Sequence, residues 1–143
     1  MIWETIFGKV VGKANNYQAV PDGQGGRRII KNKAVRDYER SFCRQCELYR
    51  DAGIDDVFTF HIKVYLPSMA CDLDNAIKTV LDCLQYVHAI TDDNKCMKID
   101  AEKHIDGRRP RIEFAIEQVA PLLFDNENIN NNSKNTKNEY REP

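Results

Sequence analysis

From Val57 to Leu66 the chain alternates without a break. Phe58, Phe60, Ile62, Val64 and Leu66 hold the even positions, and Val57, Thr59, His61, Lys63 and Tyr65 the odd ones. A period of two marks a β-strand with one face turned to a core, here the even one. Pro67 ends it. A lone strand can neither pair its edges nor bury its apolar face, so the rest of the chain must supply partner strands and a covering layer.

The flanking segments supply both. Residues 2–11 hold Ile2, Trp3, Ile6, Phe7, Val10 and Val11 and predict a first strand. Pro21-Asp22-Gly23-Gln24-Gly25-Gly26 is a turn or loop. Ala34, Val35, Tyr38, Phe42, Cys46 and Tyr49 recur at steps of three and four, predicting an amphipathic helix over 33–52. A second helix is expected over 75–88, with Ile77, Val80, Leu81, Leu84 and His88 on one face. After the turn formers Thr91-Asp92-Asp93-Asn94 come two more strands. In 96–103, Met97, Ile99 and Ala101 are expected inward; in 111–117, Ile112, Phe114 and Ile116. Asp106-Gly107 between them favours a hairpin. The order β-α-β-α-β-β gives an α+β fold on a small mixed sheet, with parallel pairing across a helix and antiparallel pairing across the hairpin.

With 143 residues, 42% apolar and 30% charged, the chain reads as one soluble domain. Collagen, coiled coil and wholesale disorder are excluded as the main state. No apolar run reaches the ~18 residues of a membrane span. Met1-Ile2-Trp3-Glu4 does not open like a secretion signal, and the odd number of cysteines, five, fits reduced thiols in the cytoplasm. After Phe124 the composition turns polar and Asn-rich. Residues 125–143 cannot bury enough surface to offset ordering, so a folded domain over 1–120 and a disordered tail over 121–143 are expected.

The chemistry concentrates where the alternating strand passes into the second helix. Asp72 and Asp74 are two apart in Cys71-Asp72-Leu73-Asp74-Asn75, and in extended chain they share a side. Two such carboxylates repel, which a divalent cation relieves, and Mg²⁺ suits oxygen donors that leave room for water and phosphate. Lys78 lies one helical turn beyond Asp74, and Asp93 opens the next strand region. Each residue alone has an ordinary explanation: a helix cap, a surface ion pair, a turn. Capping needs one carboxylate, however, and leaves Asp72 beside Asp74 without a reason.

Together, Asp72-Leu73-Asp74-Asn75, Lys78, Leu81-Asp82 and Asp92-Asp93 resemble the RusA-type Holliday junction resolvases. These are small endonucleases often encoded by phages and prophages, and the likeness covers roughly residues 5–117. It implies a homodimer that cuts four-way DNA junctions by paired symmetric nicks, leaving 5′-phosphate and 3′-hydroxyl ends, in DNA recombination and repair. It implies Asp72, Asp74 and Asp93 as metal ligands and catalytic carboxylates, with Lys78 stabilising the developing charge. Mg²⁺ is the expected ion and Mn²⁺ a substitute. The basic run Arg27, Arg28, Lys31 and Lys33 is then a candidate DNA contact.

The main rival is a haloacid-dehalogenase-like phosphatase, whose Asp-x-Asp-x-Thr motif also follows an apolar strand. Ala76 stands at its Thr position, and too little chain follows for its later motifs. An EF-hand fails because Ile77 replaces the required Gly and Cys83 the Glu. A junction-binding protein without cleavage would not need the full set of acids. Cys43-Arg44-Gln45-Cys46 has half a zinc-site spacing but falls mid-helix without a second pair, and His61, His88 and His104 are scattered.

The net charge of −1 hides a segregation. Residues 1–50 carry 10 basic groups against 5 acids, and residues 51–100 carry 4 against 9. The basic part holds the proposed phosphate contacts and the acidic part the proposed metal ligands, so the overall charge does not exclude DNA.

Overall fold

The computed structural model describes residues 1–13 and 17–119. The expected tail lies outside them. Six strands and two helices follow one another: β1 (Glu4–Phe7), β2 (Tyr17–Pro21), β3 (Arg27–Lys31), α1 (Lys33–Gln45), β4 (Phe58–Leu66), α2 (Leu73–Tyr86), β5 (Cys96–Ile105) and β6 (Arg111–Gln118). A single 3-10 turn, Asp93–Lys95, leads into β5. The main sheet has the order β1-β6-β4-β5, and β2 and β3 form a separate two-stranded sheet. The main sheet is mixed, as expected: β4 runs parallel to β5 and antiparallel to β6.

The alternating segment became the inner strand that joins the two kinds of pairing. Phe58, Phe60, Ile62, Val64 and Leu66 are all buried. Across β6, Ile62 sits opposite Phe114 and Val64 opposite Ile112. Phe114 is the packing hub, with ring centroids of Phe42, Tyr49 and Phe60 at 5.9, 5.4 and 6.3 Å. These separations lie in the favourable range for aromatic pairs.

Three expectations need correction. The Asp106-Gly107 segment is not a hairpin between neighbours: β5 and β6 flank β4 on opposite sides, so the connection passes over the end of β4. Asp106 N–H donates to Leu66 O at 2.9 Å, and its carboxylate takes the N–H groups of Arg108 and Arg109, each at 3.1 Å. The turn residues serve a wider loop because β4, with its buried face, requires a partner on each edge. Met97 and Ile99, expected inward, are 65% and 47% exposed. They lie on an edge strand that the helices do not fully cover. Residues 27–31, read as part of a basic loop, form β3. Asp22 closes the turn before it, taking N–H groups of Gln24 at 2.7 Å and Gly26 at 3.0 Å.

The first helix stops at Gln45 rather than 52, yet Cys46 and Tyr49 stay buried. Glu4 explains this. Its carboxylate, 4% exposed, accepts the N–H groups of Glu47, Leu48 and Tyr49 at 2.6, 3.0 and 3.1 Å. It replaces the helical bonds these donors would otherwise make, so the chain turns off the helix without orphaned N–H groups. The Cys46 thiol also donates to Glu4, and burial together with this carboxylate pushes its pKa up to about 12. A thiol held protonated is a poor metal or redox ligand. All five cysteines are free.

Replacing Glu4 by Ala strands three backbone donors. Urea unfolding of Glu4→Ala is expected to show a loss of about 3 kcal/mol. A loss of less than about 0.5 kcal/mol would mean that water satisfies these groups instead.

Candidate active site

The strand β4 and the helix α2 are joined by residues 67–72, and β5 clamps that loop. Lys103 Nζ donates to Met69 O at 2.8 Å and also to Cys71 O. The loop delivers Asp72 to the N-cap of α2 in extended conformation, with φ −83° and ψ 131°. A capping Asp normally spends its side chain on the first turn's N–H groups. Asp72 makes no such bond; its carboxylate accepts instead from Asn75 Nδ2 at 3.4 Å. Asp74 follows in the first turn, exposed like Asp72, where the helix dipole favours negative charge.

The pair Asp92-Asp93 divides its labour. Asp92 caps the 3-10 turn, accepting from Asn94 N–H at 2.9 Å. Asp93 instead accepts from Lys78 Nζ at 2.8 Å. Lys78, one helical turn beyond Asp74, also lies 3.3 Å from Asp82. Parallel pairing places Cys96 beside Phe58, and Asp93, three residues earlier, meets α2 through Lys78. Among the described residues no three His, Cys, Asp or Glu side chains are gathered as a ready metal cage. The donor chemistry nevertheless suits a hard divalent ion. Asp72 and Asp74 offer exposed carboxylate oxygens, and Asp93 is already bonded to a cation, the Lys78 ammonium.

That bond also sets the charges. The hydrogen bond from Lys78 holds the Asp93 carboxyl below the usual aspartate range and raises Lys78 above the usual lysine value. Both groups therefore stay ionised at neutral pH.

A segment read in part as the end of the first strand, which stops at Phe7, completes the surroundings. Residues 11–13, just after β1, lie along one stripe of α2. Thr79 Oγ1 donates to Val11 O at 2.8 Å, and Lys13 Nζ bonds Asp82. At Gly12 an added Cβ would stand 2.6 Å from Asn75 Cβ, so only glycine lets the two backbones approach this closely. Between this segment and the start of α2 opens a cleft of about 340 Å³, with Lys9, Val10, Gly12, Asp72 and Asn75 among its walls. Asn75, Thr79 and Asp82, spaced at one helical stripe within a largely apolar helix, were the signal that something polar packs there.

The four candidate DNA contacts differ in setting. Arg27 and Arg28 are exposed on β3, and Lys33 pairs with Asp37 at 3.1 Å at the start of α1. Lys31 is tied into the fold, donating to Glu39 at 3.0 Å and to Tyr86 OH at 2.9 Å. Burial works against its charge, but these bonds outweigh it and keep its pKa above the usual lysine value. The histidines do not converge on this region: His61 bonds Asp100 and Glu117, and His104 bonds Glu102.

Carboxylates at the head of a crossover helix, with a lysine one turn further along it, are suited to phosphodiester chemistry. The family model described as endodeoxyribonuclease RusA matches residues 8–117. The chain therefore belongs to the RusA endodeoxyribonuclease family, as the motif resemblance implied. Membership carries endodeoxyribonuclease activity on Holliday junctions, in a family whose members generally depend on a divalent metal. No curated protein matches the chain significantly. Among the described residues no helix is long and apolar enough to cross a membrane.

In Lys78→Met the pKa of Asp93 should rise toward the ordinary aspartate value, followed by carbon-detected NMR titration of its carboxyl. An unmoved Asp93 would show that Lys78 is not what holds it down.

Proposed function

We propose that this protein resolves four-way DNA junctions as a homodimer by paired, metal-dependent nicks, with Asp72, Asp74 and Asp93 as metal ligands and Lys78 as the catalytic cation. The observation that carries the reading is that Asp72 does not spend its carboxylate on capping α2. Asp72 occupies the cap position of α2 and makes no capping bond, so its carboxylate is available at the helix head beside Asp74. Mg²⁺, or Mn²⁺ in its place, would supply Lewis-acid polarisation of the scissile phosphate and a more acidic water.

The chain's own groups do the rest. Asp72 and Asp74 would hold that ion at the head of α2. Lys78, 60% exposed at its side chain, is free to bond a non-bridging phosphate oxygen and offset charge as it builds. Arg27, Arg28 and Lys33 supply backbone contacts, with Lys31 bracing the strand and helix that carry them. A pair of cuts needs two active sites related by a two-fold axis. Apolar exposure along β5 supports that assembly: Met97, Ile99 and Ile105 are 65%, 47% and 49% exposed on a strand at the sheet's edge. Such an edge is where a second copy docks most readily.

Incubation with a synthetic four-way junction and Mg²⁺ is expected to give symmetric nicks. Asp74→Asn should abolish cleavage by at least about a hundredfold while junction binding persists. Equal activity on linear duplex, or activity surviving that substitution, would sink the proposal; hydrolysis of a small phosphomonoester would favour a phosphatase. Light scattering at micromolar concentration should report a dimer, and Ile99→Lys should shift it toward monomer. A monomeric wild-type protein would remove the paired-nick mechanism.

A further inference from the structure

Four charged side chains alternate in sign across α2. Lys13 bonds one oxygen of Asp82, Lys78 lies 3.3 Å from the other, and Lys78 also bonds Asp93 at 2.8 Å. The inner pair is poorly solvated, with Lys13 and Asp82 side chains 12% and 16% exposed, whereas Lys78 is 60% exposed. Burial disfavours the charge on Lys13, yet its hydrogen bond to Asp82 prevails and its pKa lies above the usual lysine value. Asp82 is thus held from one side by Lys13, with its second oxygen turned to Lys78.

Lys78 serves Asp93 differently in the two states of the site. Without an ion it neutralises that carboxylate. An ammonium and a divalent cation on one carboxylate repel, so an ion at Asp93 loosens the hold of Lys78 on it. The position four residues along α2 already holds the alternative partner, and changing partners needs a rotamer shift rather than a backbone movement. We propose that Asp82 is a positioning residue that receives Lys78 when Asp93 turns to a divalent ion, and that Lys13 holds Asp82 ready for the exchange. Lys13 does this in two ways. It offsets the cost of burying the Asp82 charge, and by sharing that charge it keeps Asp82 from binding Lys78 too tightly for Lys78 to reach a phosphate.

The inference rests on the metal reading of Asp72, Asp74 and Asp93, and it is tested by metal affinity rather than cleavage. Mn²⁺ is titrated into the full chain, with free ion counted by electron paramagnetic resonance. Asp82→Asn should weaken Mn²⁺ binding about fivefold, the size of a partly exposed ion pair, because Lys78 then competes for Asp93 with no second carboxylate to receive it. Lys78→Met should tighten binding, and Asp82→Asn combined with Lys78→Met should recover at least the wild-type affinity. Because Asp82→Asn leaves Lys13 buried without its carboxylate, Lys13→Met with Asp82→Asn serves as a second variant and should show the same weakening. Affinity within about twofold of wild type in both Asp82 variants that retain Lys78 would overturn the proposal alone. A combined Asp82→Asn and Lys78→Met variant that stays weak would overturn it too, since Asp82 would then be a ligand. A wild-type protein that binds no Mn²⁺ would bring down the metal reading and this inference together.

Discussion

The structure depends on β4 having one buried face and two paired edges. Its five even side chains need a cover, which the helices provide, and its edges need β5 and β6. Parallel pairing with β5 forces the chain to travel back along the sheet before it can pair, and α2 is that return path. The head of α2 is consequently fixed just beyond the end of β4, which is where Asp72 and Asp74 stand. The same constraint brings the turn before β5 against α2, where Asp93 meets Lys78.

Much of this was legible in the sequence, and the failures have physical causes. Alternation located β4, and the three-to-four periodicity located both helices, because each pattern reports which face is dry. Strand order was not legible, because nothing in Asp106-Gly107 says whether the strands it joins lie side by side or astride a third. Met97 and Ile99 misled because apolar character shows a capacity for burial, while the edge position left them exposed. The β2–β3 pair was missed because Arg27-Arg28-Ile29-Ile30-Lys31 has no alternation to read.

At the site, residue types and spacing singled out Asp72, Asp74, Lys78 and Asp93. What each carboxylate is doing came only from geometry. Neighbours in sequence turned out to have different duties: Asp92 is spent on a backbone N–H, while Asp93 meets a lysine fifteen residues earlier. Lys13 was invisible for a simpler reason. It reaches Asp82 across 69 positions, and no local pattern encodes a contact that only folding creates.

The small β2–β3 sheet is held at one end. Lys31 pins its base to Glu39 and Tyr86, while Pro21 and Arg27 pair at the far end, next to the glycine-rich turn. Two five-residue strands make an arm roughly 17 Å long. Laid along duplex DNA, that length matches about five base-pair steps, or half a helical turn. If the arm meets DNA as proposed, a reach of that length would cover one face of one branch, and gripping a crossing of four branches would take more than one such arm.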